Sequence, residues 1–474
     1  MQKAIIFGCG KTGGLAYYKL KNFYDIIAWS DNNASLWGSK KNGVLVVEPQ
    51  KIPDLAEKND AHIFVSMEDS KDVVHQLEQY GIKNVFIWEK SFFYSADGVV
   101  PLEFPVQIYK KKNKEEKEIL DILFIANSSN IRDHKTASAV KKEGHRVHLA
   151  YLIDNSEITF PEYAPMYEKI YPIMSLNGLR EFVRQSDFDI IHSSSEPDHI
   201  TPLMFGLGKI IIHDCHDLRS SNQCISLEGL TIEYLAHSGA AGILYPTKGL
   251  CDAARNKYGI DEKKTLVIEN YISEDLIPKI RKEKLSMQDG NIHCVYEGGI
   301  QNGMDQRGKR YFEPMWLKIA QAGAHVHFYT QSDINYCKYL DSLHENIHYE
   351  GNFSSKELAV EMSKYDVGLV LYNLNDKTKL YVEYTSPNKL YEYVNAGLPV
   401  AVNDVNSLVS VAEKYNLGKK LDINGDIYSQ LSEIKDIQIE TDCLLKNKMT
   451  VEAQIKKLIT FYKQCMTEEK RYEE

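Results

Sequence analysis

Between Thr385 and Val400 the chain reads TSPNKLYEYVNAGLPV, and this stretch combines signals that suit anion chemistry. Ser386 can cap a helix whose first turn accepts Pro387, and Gly397 and Pro399 end it. The unpaired amides at such a helix start attract a diphosphate. Lys389 would add a full charge there, and Glu392 could take a ribose diol one turn further on. A well-capped structural helix with solvated charges is the competing reading. Upstream, VYEGGIQNGMDQRGKR joins Gly298 and Gly299, which allow close backbone approach, to Arg307, Lys309 and Arg310, any of which could clamp a leaving diphosphate. A third group, KIIIHDCHDLRSS, masses His213, Asp214, His216, Asp217 and Arg219 at the carboxyl end of a buried strand, where open α/β sheets bind ligands. His213 sits among the strand's apolar residues and reads as structural. Metal binding is the rival use of these histidines and aspartates, but no H-x-x-x-H or comparable spacing supports it, so no metal is assigned.

Near the N-terminus, Gly8-x-Gly10-x-x-Gly13 follows one strand and opens a helix, and Asp31 ends the next strand. This is the dinucleotide fingerprint in its usual context: the glycines admit a pyrophosphate to the helix start and the acid takes a ribose hydroxyl. A tight strand-to-helix turn without a ligand is the alternative. Tyr17 and Lys21 have Y-x-x-x-K spacing but lie in the first helix and read as surface residues.

The elements that would position these groups alternate strand and helix throughout. Strands at Lys3–Phe7, Asp25–Trp29, Ala61–Ser66 and Asn84–Trp88 form a first unit. The charge run from Tyr109 to Lys117 reads as a linker. A second unit has strands at Ile119–Ala126, Arg146–Leu152, Asp189–His192, Lys209–His213 and Gly242–Tyr245. A third runs through Ile292–Tyr296, His325–Tyr329, Ile347–Tyr349, Val367–Leu371 and Pro399–Val402, and an amphipathic helix covers Val451–Glu468. The domain boundaries expected are therefore 1–115, 116–285, 286–445 and a terminal helix in 446–474. At 474 residues with 43% hydrophobic content, the chain can bury about three cores. A net charge of -10 disfavours nucleic-acid partners. The eight cysteines are scattered and read as reduced thiols, the N-terminus does not read as a signal peptide, and no apolar run approaches the roughly 18 residues of a membrane span. A cytoplasmic protein is expected.

Residues 119–465 resemble the retaining glycosyltransferases of family four and their relatives, which have the GT-B fold: two Rossmann-like domains facing a cleft. The motif SPxKLxEYxAxGxPV is matched at Ser386, Pro387, Lys389, Leu390, Glu392, Tyr393, Gly397 and Pro399. The resemblance implies a nucleoside diphosphate sugar donor, a glycan or lipid-linked acceptor, retention at the anomeric carbon, and no required metal or other cofactor. It implies donor-binding roles for Gly298, Gly299, Ser386, Pro387 and Glu392, with Glu383 beside Tyr384 where many members carry a second glutamate. Catalytic roles fall to His216, Asp217, Arg307 and Lys389; Ile300 stands where the family has an arginine after the glycine turn. Asp187-Phe188-Asp189 has the spacing of the metal-binding DxD of a different glycosyltransferase fold, but it leads into a strand and is set aside. The first 95 or so residues resemble the N-terminal Rossmann unit of sugar-modifying acetyltransferases and nucleotide-sugar epimerases, which makes Gly8, Gly10, Gly13 and Asp31 a candidate nucleotide site. The expected fold is thus an α/β GT-B pair preceded by a small Rossmann-like domain. A surface-polysaccharide role, peripheral at the inner face of the plasma membrane, is a family-level expectation, and the lysines at 110–112 and 114 could assist it. A sugar-nucleotide 2-epimerase and a non-catalytic nucleotide-sugar scaffold are the alternatives.

Overall fold

The computed structural model describes residues 2–21, 24–66, 71–82, 85–88, 93–95, 118–127, 130–152, 161–194, 198–221, 225–301 and 308–468. Arg307 and the 109–117 charge run lie outside the described residues. The chain divides into two compact units, one of residues 1–131, 146–191 and 203–209, the other of 132–145, 192–202 and 210–474.

Three sheets carry the fold. The first is built from β1 (Gln2–Phe7), β2 (Tyr24–Ser30), β3 (Lys40–Lys41), β4 (Val44–Val47), β5 (His62–Val65), β6 (Val85–Trp88) and β7 (Phe93–Ser95), in the order β3-β4-β2-β1-β5-β6-β7. The strands from β4 to β6 in that order pair in parallel, and β3 and β7 pair antiparallel at the edges. Alternation along β1 sends Ile5 and Phe7 into one core and Ala4 and Ile6 into the other, so both faces are covered. Gly8 leaves β1 at φ +108°. A Cβ on Gly13 would lie 1.8 Å from the Gly8 carbonyl oxygen, so only glycine lets the following helix, Lys11–Leu20, pack this close. Gly13→Ala is expected to destabilise this unit by at least about 2 kcal/mol, read as an earlier urea transition, whereas Gly14→Ala, with open space around its Cβ, should leave it in place.

The second sheet has β8 (Asp121–Ala126), β9 (Arg146–Leu152), β10 (Lys169–Ile173), β11 (Ile190–Ser194), β12 (Ile211–Asp214), β13 (Gly242–Tyr245) and β14 (Thr265–Val267), ordered β10-β9-β8-β11-β12-β13-β14. The third has β15 (His293–Glu297), β16 (His325–Tyr329), β17 (Ile347–Tyr349), β18 (Val367–Val370), β19 (Val400–Val402) and β20 (Gly418–Lys420), ordered β17-β16-β15-β18-β19-β20, with every neighbour parallel. Val295 and Val370 face one core of this sheet, and Cys294, Tyr296 and Leu369 the other. Both sheets reverse strand order at their first strand, β8 and β15, which is where doubly wound sheets open a crevice at their carboxyl ends. The helix Val451–Glu468 closes on β13: a Cβ on Gly242 would meet Phe461 and Cys465 at 2.7 Å, and Tyr462 bonds His192.

Several short strands escape the sequence reading. β10 and β20 lack a long apolar run, and β4 and β14 are only three or four residues long, so their partners complete what their own pattern leaves open. The first helix begins at Lys11 rather than near Leu15, because the glycine turn ends at Gly10. Asp189, which begins the rejected DxD strand, is buried and accepts from the Asp121 amide at 2.9 Å, a structural use of the carboxylate.

Candidate functional site

The 386–400 motif folds as the helix Asn388–Asn395, with Pro387 in extended geometry at its N-cap. Ser386 was the expected cap, but it stands one residue too early, and no side chain caps the first turn. The amides there are consequently left for a ligand or for groups reaching in from elsewhere. Lys389, 8% exposed, leans back along the helix into the glycine turn that follows β15. Its Nζ donates to the Glu297 carbonyl at 2.8 Å, sits 3.9 Å over the Tyr296 ring, and lies 3.1 Å from where a Gly298 Cβ would be. Gly298 takes φ +116° and Gly299 accepts the Tyr296 hydroxyl at 2.7 Å. The structure therefore brings Lys389, Gly298 and Gly299 to one place.

Burial dominates the electrostatics of this spot. It draws the Lys389 ammonium down to about 7, with Glu297 opposing the shift. It drives the Glu392 carboxyl well above the usual range, and a hydrogen bond and repulsion from Glu297 push the same way. Arg310 brings its guanidinium to within 2.9 Å of a Gly299 Cβ position, and Lys309 lies over the Tyr381 ring at 4.0 Å. Glu383 is turned elsewhere and accepts from Asn406 at 2.6 Å, and the Tyr384 carbonyl accepts the Thr247 hydroxyl at 3.0 Å. Both residues are thereby used in packing the segment ahead of the helix.

On β12 and its following loop, the expected residues separate into a buried and a facing set. Asp214 is 1% exposed and pairs with Arg132 through two bonds of 2.8 Å, with His192 at 3.3 Å. Burial opposes its charge, but Arg132 and His192 outweigh it and hold the carboxyl well below the normal range. His216 is half-buried, and its Nε2 is 3.2 Å from the Ser194 hydroxyl. Burial lowers it to about 4, leaving a neutral imidazole near pH 7. Asp217 accepts from the Tyr381 hydroxyl, and Lys309 stands 3.9 Å away. His213 is fully buried on the Thr201 hydroxyl at 2.8 Å, and Arg219 is exposed.

Sequence reasoning passed over the run Arg132, Asp133, His134 and Lys135, all buried in the helix Ile131–Lys142. Lys135 donates to Asn388 Oδ1 and to the Tyr271 carbonyl, both at 2.8 Å, and burial brings it to about 8. Arg132 also donates to Asn270 at 2.6 Å, and Asn270 donates to the Ser386 carbonyl at 2.7 Å. A hydrogen-bonded line thus runs from Asp214 through Arg132 and Asn270 to the entrance of the Asn388–Asn395 helix. Four ionisable residues opening a helix after a Rossmann-type first strand were the available signal.

In the N-terminal sheet, Gly8, Gly10 and Gly13 make the expected strand-to-helix turn, with Gly10 at the helix N-cap. The Asp31 carboxylate accepts from the Cys9 amide at 2.6 Å and the Asn33 amide at 2.9 Å, which fixes its position at the end of β2 beside the glycine turn. Lys41 donates to the carbonyls of Cys9 and Gly10 and lies over Trp29. Tyr17 is half-buried and stacks on Trp29 at 5.6 Å, so it is a packing residue rather than a surface one.

Comparison with known proteins agrees with this geometry. Residues 134–276 match the family Glycosyltransferase Family 4, and residues 313–468 match the family Glucosyltransferase 3-like, C-terminal domain. No curated protein matches the sequence. Among solved structures, a glycosyltransferase from Rickettsia africae superposes with TM-score 0.54 at 12% identity, over 74% of this chain and 100% of that one. Anabaena HepE in complex with UDP gives 0.54 at 14%, over 72% and 98%. A putative UDP-N-acetylglucosamine 2-epimerase from Listeria monocytogenes gives 0.51 at 12%, over 74% and 97%.

Proposed function

Given a chain that is a GT-B glycosyltransferase of the group 1 type with an extra N-terminal sheet domain, we propose that it moves glucose or a related hexose from a UDP-sugar to a glycan or lipid-linked acceptor, with retention. The observation that carries the reading is the Lys389 ammonium held against the Gly298 turn beside an uncapped helix start. UDP is the nucleotide bound by Anabaena HepE, and UDP-glucose is bound in another structure of that protein, which supports the base and the sugar.

In this reading residues 286–445 hold the donor and 116–285 the acceptor, with the helix in 446–474 joined to the acceptor side and 1–115 a separate nucleotide-binding-type domain. Lys389, Arg310, Lys309 and the amides at Asn388 meet the negative charge that builds on the departing diphosphate, and Arg307 joins them. The Gly298-Gly299 turn and the Ser386-Pro387 entrance shape the pocket for that diphosphate. Glu392 takes the ribose diol, and burial favours its protonated carboxyl, whose O–H can donate while its carbonyl oxygen accepts. His216 and Asp217 face the sugar being transferred and the attacking hydroxyl; Asp217 is held by Tyr381 so that one oxygen keeps its lone pairs for that hydroxyl. Attack comes from the face the diphosphate leaves, through an oxocarbenium-like transition state that fixed charges stabilise without a metal. Among the described residues no helix is long and apolar enough to cross a membrane, so a lipid-linked acceptor would be met peripherally.

Thermal shift against UDP-, GDP- and ADP-sugars tests the donor site. Saturation at about 100 times Kd is expected to stabilise the wild type and Gly10→Asp by about 2.7 kcal/mol with a UDP-sugar, and to leave Glu392→Ala unmoved. No stabilisation by any nucleotide sugar would overturn the reading. Turnover of the UDP-sugar without acceptor would favour a 2-epimerase, the activity named for the Listeria neighbour.

A further inference from the structure

Behind the His216-Asp217 loop, the end of β12 meets the helix Leu227–Gly239 in the core of the protein. His213 and His237 are at most 1% exposed there, and Cys215 is fully buried between them in sequence and space. The imidazole Nε2 atoms of both histidines are buried without a hydrogen-bond partner. One ligand atom from each of His213, Cys215 and His237 lies within 4.8 Å of the others.

The far side of each ring fixes its tautomer. His237 Nδ1 is 2.9 Å from the Glu233 carbonyl, which can only accept, so Nδ1 carries the proton and Nε2 the lone pair. His213 Nδ1 meets the Thr201 hydroxyl at 2.8 Å, and that hydroxyl donates onward to Ser193 at 2.9 Å. His213 therefore also places its lone pair at Nε2. Facing it, Asp198 brings Oδ1 to 3.9 Å, so two acceptors oppose each other in a dry interior. A metal with bonds of about 2.0–2.1 Å to each would fit between the His213 lone pair and that carboxylate oxygen.

From this geometry we propose that His213 Nε2, His237 Nε2, Cys215 Sγ and Asp198 Oδ1 form a closed structural site for a thiophilic divalent metal ion of the zinc type. Thiolate and carboxylate together neutralise a 2+ ion, which suits full burial. Binding forms four metal–ligand bonds and releases the Cys215 proton to solvent, with no change of oxidation state. The two ring planes cross at 67°, which lets their in-plane lone pairs converge. Ligand atoms around tetrahedral zinc sit about 3.3–3.7 Å apart, so His213, Cys215 and His237 atoms that now lie within 4.8 Å of one another would draw in by about 1 Å on binding. Thr201 and the Glu233 carbonyl would serve as the outer hydrogen-bond partners that orient the two rings.

Two other clusters lack this geometry. His293 and His325 stack 4.6 Å apart at 19°, so their lone pairs run side by side, and His293 is already bonded to His327 at 2.9 Å. Asp214, near Asp133 and His216, is committed to Arg132. A metal at the first cluster would tie β12 to the Leu227–Gly239 helix and hold the loop carrying His216 and Asp217.

The test is Co2+ and Zn2+ titration of the full chain after chelation, with absorption and thermal unfolding as readouts. One equivalent of Co2+ should give a sulfur-to-cobalt charge-transfer band and tetrahedral d–d bands, displaced by Zn2+, and Zn2+ should raise the unfolding midpoint. Cys215→Ser should abolish the charge-transfer band, and Thr201→Val, which keeps every ligand, should weaken Zn2+ by about 10–100-fold. Circular dichroism of each variant identifies any that fails to fold, and Thr201→Val, nearly isosteric, remains informative if Cys215→Ser does fail. Absence of stoichiometric binding by the wild type overturns the proposal. So does binding that survives Cys215→Ser and is lost in His325→Asn, which would put the ion in the histidine stack.

Discussion

Lys389→Ala is expected to lower kcat/KM for glycosyl transfer by about 10²–10³-fold, equivalent to about 3–4 kcal/mol of transition-state stabilisation. The ammonium is already desolvated and aimed at the Gly298 turn, so no reorganisation is needed when charge develops on the leaving diphosphate. Water entering the vacated space would reorient at each turnover and return only part of that stabilisation. Lys389→Met separates charge from packing, since it keeps the stem over Tyr296; it should lose nearly as much activity as Ala while melting closer to the wild type. Donor binding should also depend on pH with a definite sign. Burial leaves Lys389 with a value near 7 in the free protein, and a bound diphosphate would raise it again. The complex then holds more protons than the free chain above that value, so donor affinity falls as pH rises through about 7. Calorimetric titration across that range in wild type and Lys389→Met checks it: the slope should vanish in the variant.

Arg132→Ala is expected to cost about 3–5 kcal/mol of stability, the loss typical of leaving one partner of a buried ion pair uncompensated. Asp214 would remain 1% exposed with its two strongest bonds removed. The double variant Arg132→Met with Asp214→Leu should recover most of that loss, because the penalty belongs to the orphaned charge rather than to the absence of the pair. Equilibrium urea unfolding of the three proteins measures both. Recovered stability need not bring back activity, since the line through Asn270 to the Ser386 carbonyl would still be cut. A double variant as unstable as the single one would show that the energy resides elsewhere.

Local pattern revealed what local pattern controls. A near-continuous apolar run announced β8, the alternation of strands and helices placed β15, β16 and β18, and the Pro387 and Gly397 signals bracketed the helix that holds Lys389 and Glu392. Ser386 was misassigned as the cap because any short hydroxyl before a helix start looks suitable, and the choice between it and Pro387 depends on where the preceding segment is anchored by Asn270. The partners of Asp31, the Cys9 and Asn33 amides, could not be read from the sequence, because they are groups that every residue carries and no motif displays. Arg132, Lys135 and His237 were missed for another reason. Each acquires its meaning from a residue far away in the chain, Asp214, Asn388 and His213 respectively, and spacing rules see only neighbours.

Gly242 gives the order of synthesis a structural consequence. Its bare backbone is the seat for Phe461 and Cys465, and His192 waits for the hydroxyl of Tyr462. A ribosome delivers β11 and β13 long before it delivers the helix that covers them. The second sheet therefore stays unfinished, with an apolar strand face open, while the whole third sheet is being made and folded. Nascent chains stalled before Val451 should accordingly be held by chaperones, and the two halves of the enzyme should become protease-resistant in the reverse of their order along the chain.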